Sequence, residues 1–470
     1  MLTEIAADSK WGIQHKFNKI KNSKDFAKHI PIQTYESLKP YIDRILKGEQ
    51  NVLWPSPINW FAKSSGTTAD KSKFIPVSNE ALEECHYKGG KDLIALYFKN
   101  CPETKVFSGK NLVIGGSSEI SNQKNNIQIG DLSAVLIKNL PYWAEYMRVP
   151  DKDVTLMHDF EKKIDKIIDK TIQEDVRMMS GVPTWNIVMI KKIFEKTGKE
   201  NLLEIWPNLE LYVHGAVSFL PYKDQFKKII PSRKMNYVET YNASEGFFAQ
   251  QDLLNSEEML LMLDYGVYYE FIPMEDFEKE NPHAIGLKDV ELNKNYALVI
   301  STNAGLWRYM IGDTIKFTSL KPFRIKITGR TKHFINAFGE EVIIDNAIVA
   351  LKEACKQTGA SIKDYTAGPV YLSDKNKGCH EWLIEFEKAP DKIEKFTEIL
   401  DKTLQKVNSD YEAKRKADLA LKMPLVIVMP SGSFYEWMKT KGKLGGQNKV
   451  PRLCNDRKYL DDILEFIKKG

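Results

Sequence analysis

What most constrains this chain is a change of texture about halfway along it. Up to about residue 243, helix-spaced apolar stripes alternate with short strand-like runs, the alternation of an α/β domain. From Leu260 to Thr328 that spacing gives way to short apolar segments, Leu260 to Leu263, Val267 to Ile272, Ala297 to Thr302 and Arg324 to Thr328, parted by turn residues. Such a run predicts an antiparallel sheet or small barrel appended to the α/β layers. After Gly329-Arg330-Thr331-Lys332, the best interdomain joint, a smaller α+β pattern begins. It predicts helices over Asp345 to Lys356, Lys392 to Val407 and Asp456 to Lys469, and strands over Ala367 to Leu372, Trp382 to Phe386 and Leu425 to Met429. The expected fold is α/β and α+β, with a large domain over 1–329 and a small one over 330–470, and 470 residues suffice for both.

In the first part, helices are expected over Lys24 to His29 and Tyr35 to Ile45, broken by Pro31 and Pro40, and over Ala81 to Phe98. Lys110 to Gly116 reads as a strand entering a glycine turn. Phe160 to Met178 reads as one helix with Phe160, Ile164, Ile167, Ile168, Ile172 and Val176 on its core face. Asn186 to Phe194 resumes as a helix, and a strand over Leu209 to Val213 runs into His214-Gly215-Ala216.

Three polar clusters interrupt this frame. The first, Ser64-Ser65-Gly66-Thr67-Thr68, is followed by Lys71 and Lys73; its glycine, hydroxyls and ammonium groups suit phosphate oxygens. It is not a Walker loop, and a solvated turn accounts for its composition equally well. The second, Tyr241-Asn242-Ala243-Ser244-Glu245-Gly246, follows a strand, where open α/β sheets place ligand contacts. A hydrolase nucleophile elbow on Ser244 fails because position 242 is Asn where the elbow has Gly. The third, Arg308-Tyr309-Met310-Ile311-Gly312-Asp313, offers a carboxylate able to accept two bonds from a sugar diol, or simply an acidic turn. Near the end lies a basic glycine loop, Lys439 to Arg452.

Composition excludes more than it identifies. A net charge of +5 is small beside 68 basic and 63 acidic residues and implies neither a nucleic-acid nor a membrane partner. Five scattered cysteines without a C-x-x-C pair suggest neither disulfides nor zinc and fit a reducing, cytoplasmic setting. None of the eight histidines has metal-ligand spacing. No apolar run reaches membrane-spanning length, and no signal peptide is expected.

With these motifs in hand, the chain resembles the Gretchen Hagen (auxin-responsive) family of acyl acid amido synthetases, as a bacterial member, within the adenylate-forming superfamily. The likeness rests on Ser64 to Thr68, Tyr241 to Gly246, Arg308-Tyr309-x-x-Gly312-Asp313 and Gln447-Asn448-Lys449-Val450-Pro451-Arg452, in that order. It implies a large N-terminal ATP-binding domain and a small, mobile C-terminal one. It implies further that Ser64, Ser65, Gly66, Thr67, Thr68 and Lys73 contact ATP phosphates, that Tyr241 with Ser244 and Gly246 borders the nucleotide, and that Glu245 helps hold Mg2+. Asp313 would bind the ribose, Arg330 would lie at the hinge, and Lys449 would be the catalytic lysine that swings to the α-phosphate. Ala69 replaces a frequent superfamily Gly, and Glu340 stands where plant members carry a phosphate-contacting Lys, so charge balance would rest on Lys71, Lys73 or Lys332. The leading helix the family would have is missing, so a shortened N-terminus is expected.

The implied activity is adenylation of a small carboxylic acid followed by acyl transfer to an amino acid. No protein nucleophile is required, in keeping with the lack of a credible Ser-His or Cys-His arrangement. An acyl-coenzyme A ligase and a catalytically silent nucleotide-binding regulator are the alternatives. The acid, the amino acid and the oligomeric state are not written in the pattern.

Overall fold

The computed structural model of the chain describes all residues except 65–72, 116–120, 123–125, 158–159, 217–218, 220–221, 332–334, 336–341, 371–377, 409–410, 413–414, 416–420, 443–449, 455 and 470. In chain order the strands are β1 (Trp60–Ser64), β2 (Lys73–Val77), β3 (Lys110–Val113), β4 (Ser121–Asn122), β5 (Gln128–Gly130), β6 (Arg148–Val149), β7 (Val176–Ser180), β8 (Leu211–Gly215) and β9 (Asn236–Ala243). There follow β10 (Gly246–Gln250), β11 (Met259–Leu261), β12 (Val267–Pro273), β13 (Asn295–Thr302), β14 (Tyr309–Leu320), β15 (Phe323–Arg330), β16 (Ser361–Val370), β17 (Cys379–Lys388) and β18 (Leu425–Met429).

The chain forms two compact units. The larger takes the first 217 residues and residues 229–327; the smaller takes residues 218–228 and most of the chain from 328 onward. The larger unit is built on an 11-stranded sheet in the order β12-β13-β14-β15-β11-β10-β9-β8-β7-β3-β6. From β6 to β9 its neighbours run parallel, and from β9 onward the described pairings are antiparallel. The antiparallel strands expected as an appended sheet are thus continuous with the parallel ones. A second sheet, β2-β1-β5-β4, carries the strands on either side of the first polar cluster.

Two expected helices differ from the pattern. Pro40 lies inside the helix Tyr35–Leu46 without ending it: Pro40 and Glu36, whose carbonyl loses its helical donor, are exposed, while Tyr35, Leu38, Ile42 and Ile45 fix the buried face. The helix expected through Met178 stops at Thr171, and Val176 opens β7, because the sheet needs a strand between β3 and β8 and supplies pairing that β-branched Val accepts readily.

Arg308 ties the N-terminal helices to the antiparallel part of the sheet. Its Nε and Nη2 donate to Glu270 on β12 at 2.9 and 3.0 Å, and Nη1 donates to the carbonyls of Ile30 at 2.7 Å and Ala27 at 3.2 Å. Its backbone, in the left-handed region at φ 43°, is held by Ser301 Oγ and by the Gln33 amide, which donates to the Arg308 carbonyl at 2.8 Å. Burial pushes the Glu270 carboxyl up from the usual range, and the guanidinium opposes that shift.

The smaller unit has the sheet order β16-β17-β18, with β16 antiparallel and β18 parallel to β17. Helices Ile344–Thr358 and Ile393–Val407 pack a core around Tyr365, Trp382, Phe396 and Tyr411. Residues 218–228 lie between β8 and β9 in sequence yet belong to this unit, with Tyr222 and Phe226 buried. A helix that the apolar spacing did not predict, Ser433–Thr440, takes in Lys439 and Thr440 from the start of the basic loop.

Arg308→Met should lower the stability of the larger unit by about 3–5 kcal/mol, the cost of leaving a buried carboxylate uncompensated. Arg308→Met with Glu270→Leu should recover much of that loss. Urea unfolding followed by tryptophan fluorescence measures both; a single variant as stable as the parent would refute the pairing role.

Candidate active site

The turn from the parallel to the antiparallel part of the sheet is the β9–β10 hairpin, in which Ala243 pairs with Gly246 and only Ser244 and Glu245 form the loop. Tyr241 therefore lies within β9, and the second polar cluster is strand–turn–strand. A nucleophile elbow requires strand–turn–helix, so this geometry removes that reading of Ser244. The Ser244 side chain is buried, at 3% exposure, and its Oγ has no hydrogen-bond partner among the described residues. Glu245 is half-buried beside it in sequence. Gly246 is required by close approach: a Cβ there would stand 2.9 Å from the Phe248 ring.

Asp313 lies inside β14, not at a strand's edge. The pairing of β14 with β13 shifts register between Ala297 and Val299, so four steps on β14, from Met310 to Thr314, oppose two on its neighbour. Gly312 sits in this bulge at φ 92°, a conformation that costs glycine little and other residues much. The bulge re-aims Asp313, which accepts a hydrogen bond from the Tyr241 hydroxyl at 2.5 Å; both residues are buried.

That bond bears on the shape of the sheet. β9 and β14 are four steps apart in the strand order, or about 19 Å if the sheet were flat. One tyrosine and one aspartate cannot span that distance, so the sheet curls and brings the two strands face to face across its interior.

The first cluster is joined to the third by its exit strand. Residues 65–72 lie outside the described residues, as does the side chain of Ser64, but Lys73 on β2 approaches the Tyr309 hydroxyl at 3.5 Å and the Tyr35 ring at 5.7 Å. Motifs one and three thus meet at Lys73 and Tyr309, and motifs two and three at Tyr241 and Asp313. Arg330 ends β15 and is exposed. Glu340, Lys332, Lys71 and Lys449 lie outside the described residues.

Sequence reasoning missed two neighbours of the hairpin, Cys85 and His86. They lie on a widened, π-type turn, Ala81–Tyr87, that leads into the helix Lys88–Asn100. The Cys85 Sγ receives the Phe247 amide at 3.2 Å, and the ring Nδ1 of His86 lies 3.0 Å from Asn242 Oδ1, within the second motif. An acceptor there requires the proton on Nδ1. Burial holds the His86 imidazole down at about 4, against which the Asn242 bond works. The Cys85 thiol is pushed up to about 12 by burial, and all five cysteines are free. A helix-pattern break around 81–87 would have been the only sequence signal.

Among the described residues no group of three or more His, Cys, Asp or Glu forms a metal cluster, and no helix is long and apolar enough to cross a membrane. A single carboxylate such as Glu245 still fits Mg2+, an ion usually held by one or two carboxylates with substrate phosphates.

Comparison with known proteins covers nearly the whole chain. The GH3 family N-terminal domain matches residues 2–235, the GH3 family central domain 260–330 and the GH3 family C-terminal domain 345–458. Indole-3-acetic acid-amido synthetase GH3.3 of Arabidopsis thaliana is 23% identical, over 91% of this chain and 84% of its own length. Jasmonoyl-L-amino acid synthetase JAR4 of Nicotiana attenuata is 24% identical, over 94% and 87%. Among solved structures, the GH3.15 acyl acid amido synthetase matches with a TM-score of 0.81 at 18% identity, over 99% of this chain and 92% of that one. A 2-hydroxyisobutyryl-CoA ligase in its postadenylation state with 2-HIB-AMP matches at 0.60 and 12% identity, over 100% and 90%. These structural likenesses establish the fold, which this chain shares with both enzymes.

The depressed His86 value carries a pH dependence. Its folded pKa, about 4, lies below the ordinary 6.5, so its contribution is complete above pH 6.5 and is lost as pH falls toward 4. The loss should reach about 3 kcal/mol. Chemical denaturation at pH 7.5 and 4.5 should show a smaller acid loss for His86→Gln than for the parent; equal losses would place the titrating group elsewhere.

Proposed function

Because the chain belongs to the GH3 family, we propose that it is an ATP-dependent ligase that adenylates a small carboxylic acid and passes the acyl group to the amine of an amino acid. The observation that carries the reading is the Tyr241–Asp313 hydrogen bond across the curled sheet, which draws the second and third motifs to one point. A carboxylate has roughly four lone-pair sites, so a bond from Tyr241 leaves Asp313 capacity for ribose hydroxyls. The buried Ser244 hydroxyl, without a partner among the described residues, is a group whose burial a bound nucleotide would repay.

In this reading Ser64 to Thr68 and Lys73 bind the phosphates, Tyr241, Ser244 and Gly246 border the nucleotide, and Arg330 marks the hinge. Glu245 would hold Mg2+, which supplies charge stabilisation to the phosphates. A carboxylate oxygen of the acid attacks the α-phosphorus and the bond to pyrophosphate breaks. The amine then attacks the acyl carbon, AMP leaves with the electron pair, and the amine gives up a proton. Lys449 acts in the first step, opposite the charge that develops at the α-phosphate. Its domain, 330–470 in this reading, is the mobile one. A cytoplasmic setting is part of this reading, and the five scattered cysteines support it.

Acid-dependent exchange of pyrophosphate into ATP, screened over a panel of acids, tests the function whichever amine the second step uses. Product formation with amino acids against coenzyme A then identifies the second nucleophile. ATP binding without exchange on any acid would favour the silent regulator.

Asp313→Ala should weaken ATP binding with little loss of fold stability, and unchanged affinity by calorimetry would remove the ribose role. Lys449→Ala should keep most ATP affinity yet lose roughly 10²-fold or more in adenylation rate. Lys443→Ala is the control for loop charge, expected near the parent rate. Equal, small effects at both positions would refute the catalytic role of Lys449.

A further inference from the structure

Residues 450–454 follow Lys449 directly and are gripped from several sides within the smaller unit. Val450, Leu453 and Cys454 are buried. The Ala367 amide donates to the Arg452 carbonyl at 3.0 Å and the Cys454 amide donates to the Ala367 carbonyl at 2.8 Å, so this stem runs along the edge of β16 that β17 leaves open. The Thr366 hydroxyl, fully buried, donates to the Pro451 carbonyl at 2.6 Å.

The Arg452 side chain closes the grip. Nη1 donates to the Tyr365 carbonyl at 2.9 Å and pairs with Asp364, Nη2 donates to the Tyr222 hydroxyl at 3.0 Å, and the guanidinium lies over the Tyr365 ring at 4.9 Å. Arg452 and Asp364 are only 14% and 18% exposed. Asp364 owes its direction to an irregularity in β16, whose pairing with β17 shifts register between Ile362 and Asp364. Only a planar, five-donor group can serve a carboxylate, a carbonyl and a hydroxyl while stacking on a ring; Lys has neither the fork nor the plane.

We infer that Arg452 is a positioning residue for Lys449, fixing the stem that follows the lysine in sequence. The inference rests on the ligase reading above, which gives Lys449 its role. Lys449 is bonded directly to Val450, a buried residue of the anchored stem. At most about 10 Å of chain separates it from Arg452. A misplacement of about 1 Å in such a group is enough to cost up to 10²-fold in rate. Burying a guanidinium and a carboxylate yields little net stability, because desolvation offsets the pairing. The arrangement is therefore better accounted for by where it holds the chain than by how much it stabilises it.

The test is a double-mutant cycle on acid-dependent ATP–pyrophosphate exchange, with Arg452→Gln, Lys449→Ala and the pair. Arg452→Gln alone should lose roughly tenfold or more in kcat with the KM for ATP changed less than about twofold. In the Lys449→Ala background it should cost less than about twofold, because the group it positions is gone. Arg452→Lys should not restore the rate. A silent Arg452→Gln, or an equal loss in both backgrounds, overturns the inference. Should Arg452→Gln fail to fold, Thr366→Val, which removes the hydroxyl that holds the Pro451 carbonyl and keeps the volume, enters the same cycle with the same expectations. An unmutated chain with no exchange on any acid instead refutes the ligase reading, whereas an active one with no coupling refutes only the positioning role.

Discussion

The larger unit depends on one buried guanidinium. Arg308 joins two stretches of chain far apart in sequence, the helical N-terminus through the carbonyls of Ala27 and Ile30 and the antiparallel sheet through Glu270. A charge pair this deeply buried gains little net energy, since the attraction mostly offsets the water both groups lose. Its effect is to leave few alternative arrangements: any slip of the N-terminal segment strands a charge, two carbonyls and a left-handed backbone together. The next residue, Tyr309, is thereby placed against Lys73, and four residues on stands Asp313.

From that anchor the site is assembled by two departures from regular sheet geometry. Curling brings β9 opposite β14, and the bulge at Gly312 directs Asp313 toward Tyr241. Neither strand alone presents a site. The widened turn at Ala81–Tyr87 adds a buried wall, with Cys85 and His86 held neutral by burial and bonded to the same hairpin.

The smaller unit is stabilised by its own core, but its chain is not a simple continuation. Residues 218–228, which the linear pattern assigns to the large domain, pack here and provide Tyr222 as one of the partners of Arg452. At the other side of the basic loop, Lys441 pairs with Asp462, as does the indole of Trp437. The described residues on either side of Lys449, Trp437 and Lys441 before it and Pro451 and Arg452 after it, are thus both bonded within the smaller unit. The C-terminal stem, adjacent to Lys449, is the more deeply buried.

The class of fold, the order of most elements and the motifs that signal the family were legible in the linear pattern. Those depend on local periodicity and on residue types needed at particular backbone positions, and both can be read along the chain. The same pattern singled out Tyr241, Ser244, Glu245 and Asp313 as members of polar clusters at strand ends, where an ordinary turn served as well, and their burial was not legible in it. Packing in three dimensions was needed to make the antiparallel strands continue the parallel sheet, to bring Tyr241 against Asp313, to start a strand at Val176, and to recruit residues 218–228 into the smaller unit. Two of these rest on contacts between residues far apart in sequence, 72 positions for Tyr241 and Asp313 and 230 for Tyr222 and Arg452. Such contacts are fixed by how a curled sheet closes and how an arginine fork is satisfied, and no local pattern encodes either.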